Sequence, residues 1–296
     1  MRPASFSPAL ILLAGIAVLS AMDATIKYLS DTNHTLVVTL GRYTIGAAFA
    51  FAIWNHAGRP KITRDMWRAH SVRGFVIAVS ATSFFWSLTV LPLAEAVAIS
   101  FFYPLVVPFV ARLVIGERVR GASVGAAALG FMGVVVAVQG APSTEESPLY
   151  AWGVAAVILA SVTFAFSIAL MRARAQADGA PIVGLLASLI PGLIVAGPAL
   201  VFAPPPRVDD WPFFLLIGVL AAAGMYLMAR AYAGAEAQQL APIHYSELLW
   251  ASLIGYFVFQ EIPRPQVLAG AAIIIVACLW AAYDERRIAL RLGSKP

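Results

Sequence analysis

Residues 93–138 read LAEAVAISFFYPLVVPFVARLVIGERVRGASVGAAALGFMGVVVAV, and residues 237–282 read AQQLAPIHYSELLWASLIGYFVFQEIPRPQVLAGAAIIIVACLWAA. Each stretch runs from an apolar helix with polar residues near its middle, through an acidic and basic link, into a helix of small residues. A shift of 144 positions lays Leu105 on Leu249, Glu117 on Glu261, Arg120 on Arg264, and Ala127, Ala128 and Ala137 on Ala271, Ala272 and Ala281. The match is weak per residue but keeps its register, so the chain carries one plan twice.

Around these stretches the chain is 61% hydrophobic and 12% charged, with a mean hydropathy of +0.84 over 296 residues. That leaves too little polar surface to cover a soluble globule. Apolar runs of roughly 18–23 residues, the length of a helix that crosses hydrocarbon, fall near 8–30, 35–55, 72–91, 93–114, 120–140, 149–171, 180–203, 211–233, 239–260 and 264–283. These make ten spans, five per copy. An odd number of spans puts the two copies into the bilayer in opposite orientations, and inverted repeats are the build of secondary transporters, with the substrate between the halves near the midplane. The fold class is therefore an all-α integral membrane protein of ten transmembrane helices in two inverted five-helix repeats. The first repeat covers 8–140, the second 149–283, and a basic tail 284–296.

The longest connection expected, about 56–71, is too short for a soluble domain and holds no nucleotide-binding motif. No catalytic residue and no cofactor are expected. The first run continues into Asp23 and Lys27 without a small-residue cleavage site, and so reads as a retained helix. Cys278 stands alone, and His34, His56, His70 and His244 are scattered without ligand spacing, so no metal site is expected either. Asn33-His34-Thr35 fits the glycosylation pattern, which chance produces often.

The net charge of +5 reports topology rather than nucleic-acid binding. With both termini in the cytoplasm, the inner side receives fifteen of the 20 Lys and Arg, among them Lys61, Arg118, Arg120, Arg172, Arg174 and Arg230. The outer side receives only Arg207 and Arg264, while Lys27, Arg42 and Arg112 fall inside spans. This asymmetry sets the orientation.

Tyr103-Pro104 through Gly116-Glu117 to Gly125, and His244 through Gln260-Glu261 to Gly270, resemble the paired hallmarks of the drug/metabolite transporter superfamily, specifically its EamA-type members. Ala21-Met22-Asp23-Ala24-Thr25-Ile26-Lys27 and Gly41-Arg42 are similar to first-half features of that group, and the resemblance covers about 8–283. Two positions of the second half depart from the pattern. Leu248 stands opposite Pro104 and Gln260 opposite Gly116. The resemblance implies a multi-pass carrier of the cell inner membrane.

Ionisable groups at membrane depth are costly and face a partner or a water-filled cavity. Asp23 and Arg42 each lie about seven residues, roughly 10 Å, below the outer end of their spans. An ion pair between them is expected, structural in the first reading with Lys27 snorkelling outward, in direct contact with substrate in the second, and part of an extracellular gate as the intermediate option. Glu247 is one turn beyond His244 near the middle of the ninth span, and their partners under the shift are Tyr103 and Ser100. A carboxylate beside an imidazole can bind an ammonium or carry a proton; the alternative is a hydrogen-bonded Glu that only ties helices together. Mid-span rings and hydroxyls complete the expected cavity: Ser83 and Trp86, Thr163 and Phe164, Tyr226 and Trp250. Trp54, Trp67, Trp152, Trp211 and Trp280 read as interfacial anchors. Glu117 and Glu261 read as structural or gating groups with partners such as Arg120 and Arg264, and the small residues of the fifth and tenth spans as scaffold.

The first reading of function is export of small organic metabolites, amino acids foremost, by alternating access. Uptake of a cofactor-like metabolite such as riboflavin or S-adenosylmethionine is the runner-up, and a membrane assembly factor the reading from another class. The expected partners are a small-molecule substrate and the lipid bilayer, and nothing in the chain sets the oligomeric state. Cysteines placed at Lys61 and at Arg207 should react with impermeant thiol reagents from the cytoplasmic side only and from the outside only, respectively. Labelling in the reverse sense would invert the topology.

Overall fold

The computed structural model describes residues 8–116, 119, 121–139, 148–234, 244 and 246–293. In a bilayer every backbone N–H and C=O must find a partner within the protein, which favours helices wherever the chain is apolar. The described residues form eleven helices: α1 (Pro8–Thr32), α2 (Thr35–His56), α3 (Arg64–Ser87), α4 (Leu93–Ser100), α5 (Tyr103–Ile115), α6 (Gly121–Val138), α7 (Tyr150–Asp178), α8 (Ala180–Phe202), α9 (Trp211–Gly234), α10 (Ser246–Phe259) and α11 (Pro265–Gly293). The molecule is an all-helical membrane protein with a duplicated helical plan. Five helices are each long and apolar enough to cross a membrane alone, and shorter apolar segments supply the rest.

The fourth span is broken in two at Phe101 and Phe102, where one continuous helix over 93–114 was expected. Pro104 has no N–H to give to the carbonyl of Ser100, and its ring crowds that oxygen. The freed Ser100 carbonyl accepts instead from Ser161 Oγ of α7 at 3.3 Å. In the second half α10 is described from Ser246, with Leu248 in place of the proline, and of the residues 235–245 before it only His244 is described. Helix α3 starts at Arg64, eight residues earlier than expected, because Thr63 caps it by accepting from Met66 N at 3.2 Å. The expected connection of 56–71 shrinks to 57–63.

The packing repeats the duplication. Helix α1 lies along α9 as α7 lies along α3, α2 meets α9 as α8 meets α3, and α10 meets α1 as α5 meets α7. The pairs α2 with α8 and α6 with α11 map onto themselves under exchange of halves. Small residues set the last crossing: a Cβ on Gly133 would lie 2.7 Å from Ile274 Cγ1 and 2.8 Å from the carbonyl oxygen of Gly270. Inversion shows at the helix ends. The links after α1 and α3 of the first half gather with the links before α9 and α11 of the second, through Asn33 with Arg207 and Asp210 and through Lys27 with Glu261. That end is the one the charge asymmetry assigns to the outside. At the opposite end the buried side chains of His70 and Asp178, 3.0 Å apart, join α3 to α7.

The two halves also end their corresponding helices alike. Gly116 after α5 and Gln260 after α10, partners under the shift, both take left-handed backbone, with φ of 73° and 57°. Glycine does so freely, whereas an L side chain there costs roughly 1–2 kcal/mol. The greater unfolded freedom of glycine takes back about 0.4–1 kcal/mol. Gln260→Gly should therefore stabilise the protein by roughly 0.5–1 kcal/mol, read as a higher melting temperature in detergent; a lower one would show that the strain is absent.

Candidate functional site

One face of α1 carries Leu12, Ile16, Ser20, Asp23 and Lys27 at the spacing of successive turns. Its lower part packs against Trp250 of α10, and its upper end brings Lys27 over the ring of Phe259, 5.5 Å from the centroid. Ser20 and Asp23 lie between these two contacts. Trp250 stands on the same face of α10 as Ser246 and Glu247, one turn away. Arg42 of α2 supplies the positive charge that acts on Asp23, and Asp23 the like charge that acts on Glu247.

The groups in this region lack partners. Neither Asp23 nor Glu247 makes a hydrogen bond or an ion pair with another described residue, and the expected Asp23–Arg42 ion pair does not form. Equal depth does not ensure equal azimuth: the Arg42 guanidinium turns to the rings of Tyr43 at 4.7 Å and Phe85 at 5.5 Å. Arg42 Nε, Ser20 Oγ, Ser246 Oγ and Trp250 Nε1 are buried without a hydrogen-bond partner among the described residues. Buried polar groups are normally satisfied, so these atoms on α1, α2 and α10 are available to water or to a polar ligand.

Above this cluster the outer end is locked. Lys27 does not snorkel. Its Nζ donates to the carbonyls of Leu88 at 2.9 Å and Leu91 at 2.8 Å and lies 3.0 Å from Glu261 Oε1. The second Glu261 oxygen accepts from Leu93 N at 2.9 Å, and so satisfies the first turn of α4, whose N-cap Pro92 makes no side-chain cap. Glu261 thus pairs with Lys27, not with the expected Arg264. Arg264 instead pairs with the buried Glu95 of α4 and donates to Tyr150 Oη at 2.8 Å, while Tyr150 donates to Glu95. Lys27 and Glu95 belong to the first half, Tyr150, Glu261 and Arg264 to the second.

The remaining expected residues scatter. His244 stands in 3-10 backbone two residues before α10, with Tyr245 between them outside the described residues, and Ser100 and Tyr103 are parted by the break between α4 and α5. The Ser100 hydroxyl folds back on the Val97 carbonyl at 2.8 Å and that of Thr163 on Leu159 at 2.7 Å. Tyr103 meets Phe164 edge to face at 5.0 Å, and Phe164 and Tyr226 are 42% and 59% exposed. Ser83 and Trp86 line a separate shallow cavity of ≈ 240 Å³ with His34 and Thr35. Asn33 is buried and donates to Asp210 at 2.6 Å, unlike an acceptor of glycans. Glu117, Arg120 and Tyr245 lie outside the described residues, as do the side chains of Arg172, Arg174, Arg230 and Cys278. Sequence reasoning missed Glu95, although a carboxylate inside an apolar run was a sufficient signal; it also missed Ser20, Phe85 and Tyr150, which carry no such mark.

Comparison with known proteins agrees with this architecture. Residues 6–139 and 151–283 each match the EamA-like transporter family. The chain is 25% identical to the S-adenosylmethionine uptake transporter of Rickettsia bellii, over 90% of either chain. It is 26% identical to the pseudopaline exporter CntI of Pseudomonas aeruginosa, over 91% of this chain and 94% of that one. It is likewise 26% identical to the riboflavin transporter of Rhizobium johnstonii, over 93% and 90%. One crystal structure superposes with a TM-score of 0.63 at 21% identity, over 95% of this chain and 98% of that one, a likeness of fold.

The outer lock gives a direct expectation. Lys27→Met leaves Glu261 without its cation and should cost about 3–5 kcal/mol, whereas Lys27→Met combined with Glu261→Gln should recover much of that loss. Membrane yield and melting temperature report both; a double variant as damaged as the sum of the two single ones would mean that the pair does not couple the halves.

Proposed function

The chain belongs to the EamA-like transporter family and is a secondary transporter of small metabolites, not an enzyme, and from that premise we propose that its cargo is of the amino-acid class. The observation that carries this reading is the cluster of unpartnered polar groups: the Asp23 and Glu247 carboxylates, the Arg42 guanidinium edge and the Trp250 indole. An α-ammonium fits between carboxylates that make no ion pair with a described residue, and an α-carboxylate fits the unpartnered Nε edge of Arg42. The rings of Tyr43, Phe85 and Trp250 offer an apolar wall. Charges left unmatched at membrane depth are costly, so cargo that matches them is bound in preference to neutral solutes.

Alternating access across the inner membrane follows from the inverted halves, and a lock closed at the outer end is the arrangement that loads from the cytoplasm. Export is therefore our first reading of direction, as in the relative that exports pseudopaline. A second reading, uptake of a cofactor-like metabolite, draws on the Rickettsia relatives and on charge. Two carboxyl groups stand with one guanidinium, and an amino acid with an additional cation, as in S-adenosylmethionine, would meet both.

Purified protein in proteoliposomes, given labelled L-methionine, S-adenosylmethionine and riboflavin on either side of the membrane, tests this. Methionine or S-adenosylmethionine should exchange, and Glu247→Gln or Asp23→Asn should slow exchange roughly tenfold, the equivalent of one charge-assisted hydrogen bond, with yield unchanged. Riboflavin transport without exchange of either amino acid would sink the reading.

A further inference from the structure

A cavity of ≈ 290 Å³ lies at the outer end, between the link that carries Val90 and Pro92 in the first half and the link 262–264 in the second. Its size is close to the lower bound of small-ligand sites, about 300 Å³. Val90, Ile262, Pro263 and Val267 make its walls apolar, and Glu95, Tyr150 and Arg264 supply its polar side. Opposite charges therefore stand next to each other in a small apolar chamber, one from each half of the protein.

Opening the outer end must draw Arg264 away from Glu95. The link 261–264 also carries Glu261, so the same movement takes that carboxylate off Lys27 and off the first turn of α4. Glu95 is 2% exposed, and separation in place would leave it a buried charge without a cation. A lone cation or a lone anion relieves one member of the pair and strands the other. A zwitterion relieves both.

We propose that this cavity is an outer docking site for a zwitterion of the amino-acid class. Its ammonium replaces Arg264 at Glu95 and Tyr150, its carboxylate replaces Glu95 at Arg264, and its side chain lies on the apolar wall. The ligand itself then separates the lock, so the outer end opens for cargo and stays shut to single ions. The ligand class rests on the cargo reading above, but the site is distinct from the cluster around Asp23 and Glu247.

The test uses full-length protein in nanodiscs with Cys278→Ser and spin labels at Thr89→Cys and Gln260→Cys, one on each half and outside the cavity. Saturating L-methionine should lengthen the distance between the labels. Its analogues with one charge, 3-(methylthio)propylamine and 4-(methylthio)butanoate, should not. The response should persist in Asp23→Asn with Glu247→Gln, which disables the central cluster. Glu95→Gln with Arg264→Gln should give the longer distance without ligand and no further change on its addition. Should that double variant not fold, Arg264→Lys should raise the methionine concentration for half response about tenfold, as one weakened charge-assisted contact would. Equal lengthening by either analogue, a response abolished by the central variants, or Glu95 and Arg264 variants that respond like the parent would each overturn the proposal. Methionine exchange in proteoliposomes without any change in distance would sink this site alone; a change in distance without exchange would sink the cargo reading alone.

Discussion

An ammonium ion has three hydrogens, and in a membrane each must find an acceptor within the protein. Lys27 finds two on the turn after α3 and the third on a carboxylate from the other half of the chain. Much of the outer architecture depends on that one group. The turn at 88–91 is held against α1, the link after α10 is drawn across the mouth, and the second oxygen of Glu261 closes the exposed start of α4. The fourth span can begin beneath a proline because a residue almost 170 positions away supplies its missing cap.

The scaffold is close to two-fold in its pairings, but its chemistry is not. On the first-half side, α1 and α2 carry Asp23, Lys27 and Arg42 within the membrane, whereas the corresponding stretch of α7, Ser161 to Ser167, holds hydroxyls and rings without charge. Pro104 breaks the fourth span, and Leu248 stands at the corresponding place of the second half. Gly116 turns the chain freely, and Gln260 makes the same turn under strain. The pairings of α2 with α8 and α6 with α11 tie the two halves together whatever residues make the turns.

What could be read from the sequence follows the same division. Apolar length and the shift of 144 positions are one-dimensional signals, and they delivered the all-helical class and the duplication. The site demanded azimuth as well as depth. Asp23 and Arg42 were matched in depth, yet the rings of Tyr43 and Phe85 take the guanidinium aside. Lys27 was compatible with snorkelling because a long stem near a helix end can reach water, and only the turn at 88–91 shows why it does not. Glu95 was legible by the rule applied to Asp23, but an unbroken fourth helix was expected and the carboxylate at its start was passed over.

Two of the three acceptors of Lys27 are main-chain oxygens, and this bears on how the protein can change over generations. A side-chain partner is lost by one substitution; a carbonyl persists through every substitution that keeps the turn folded. The leucines at 88 and 91 are held by the core they fill, and the lysine draws only on their main-chain oxygens. Two of the three bonds that close the outer mouth thus depend on the fold of a turn rather than on the letters written in it.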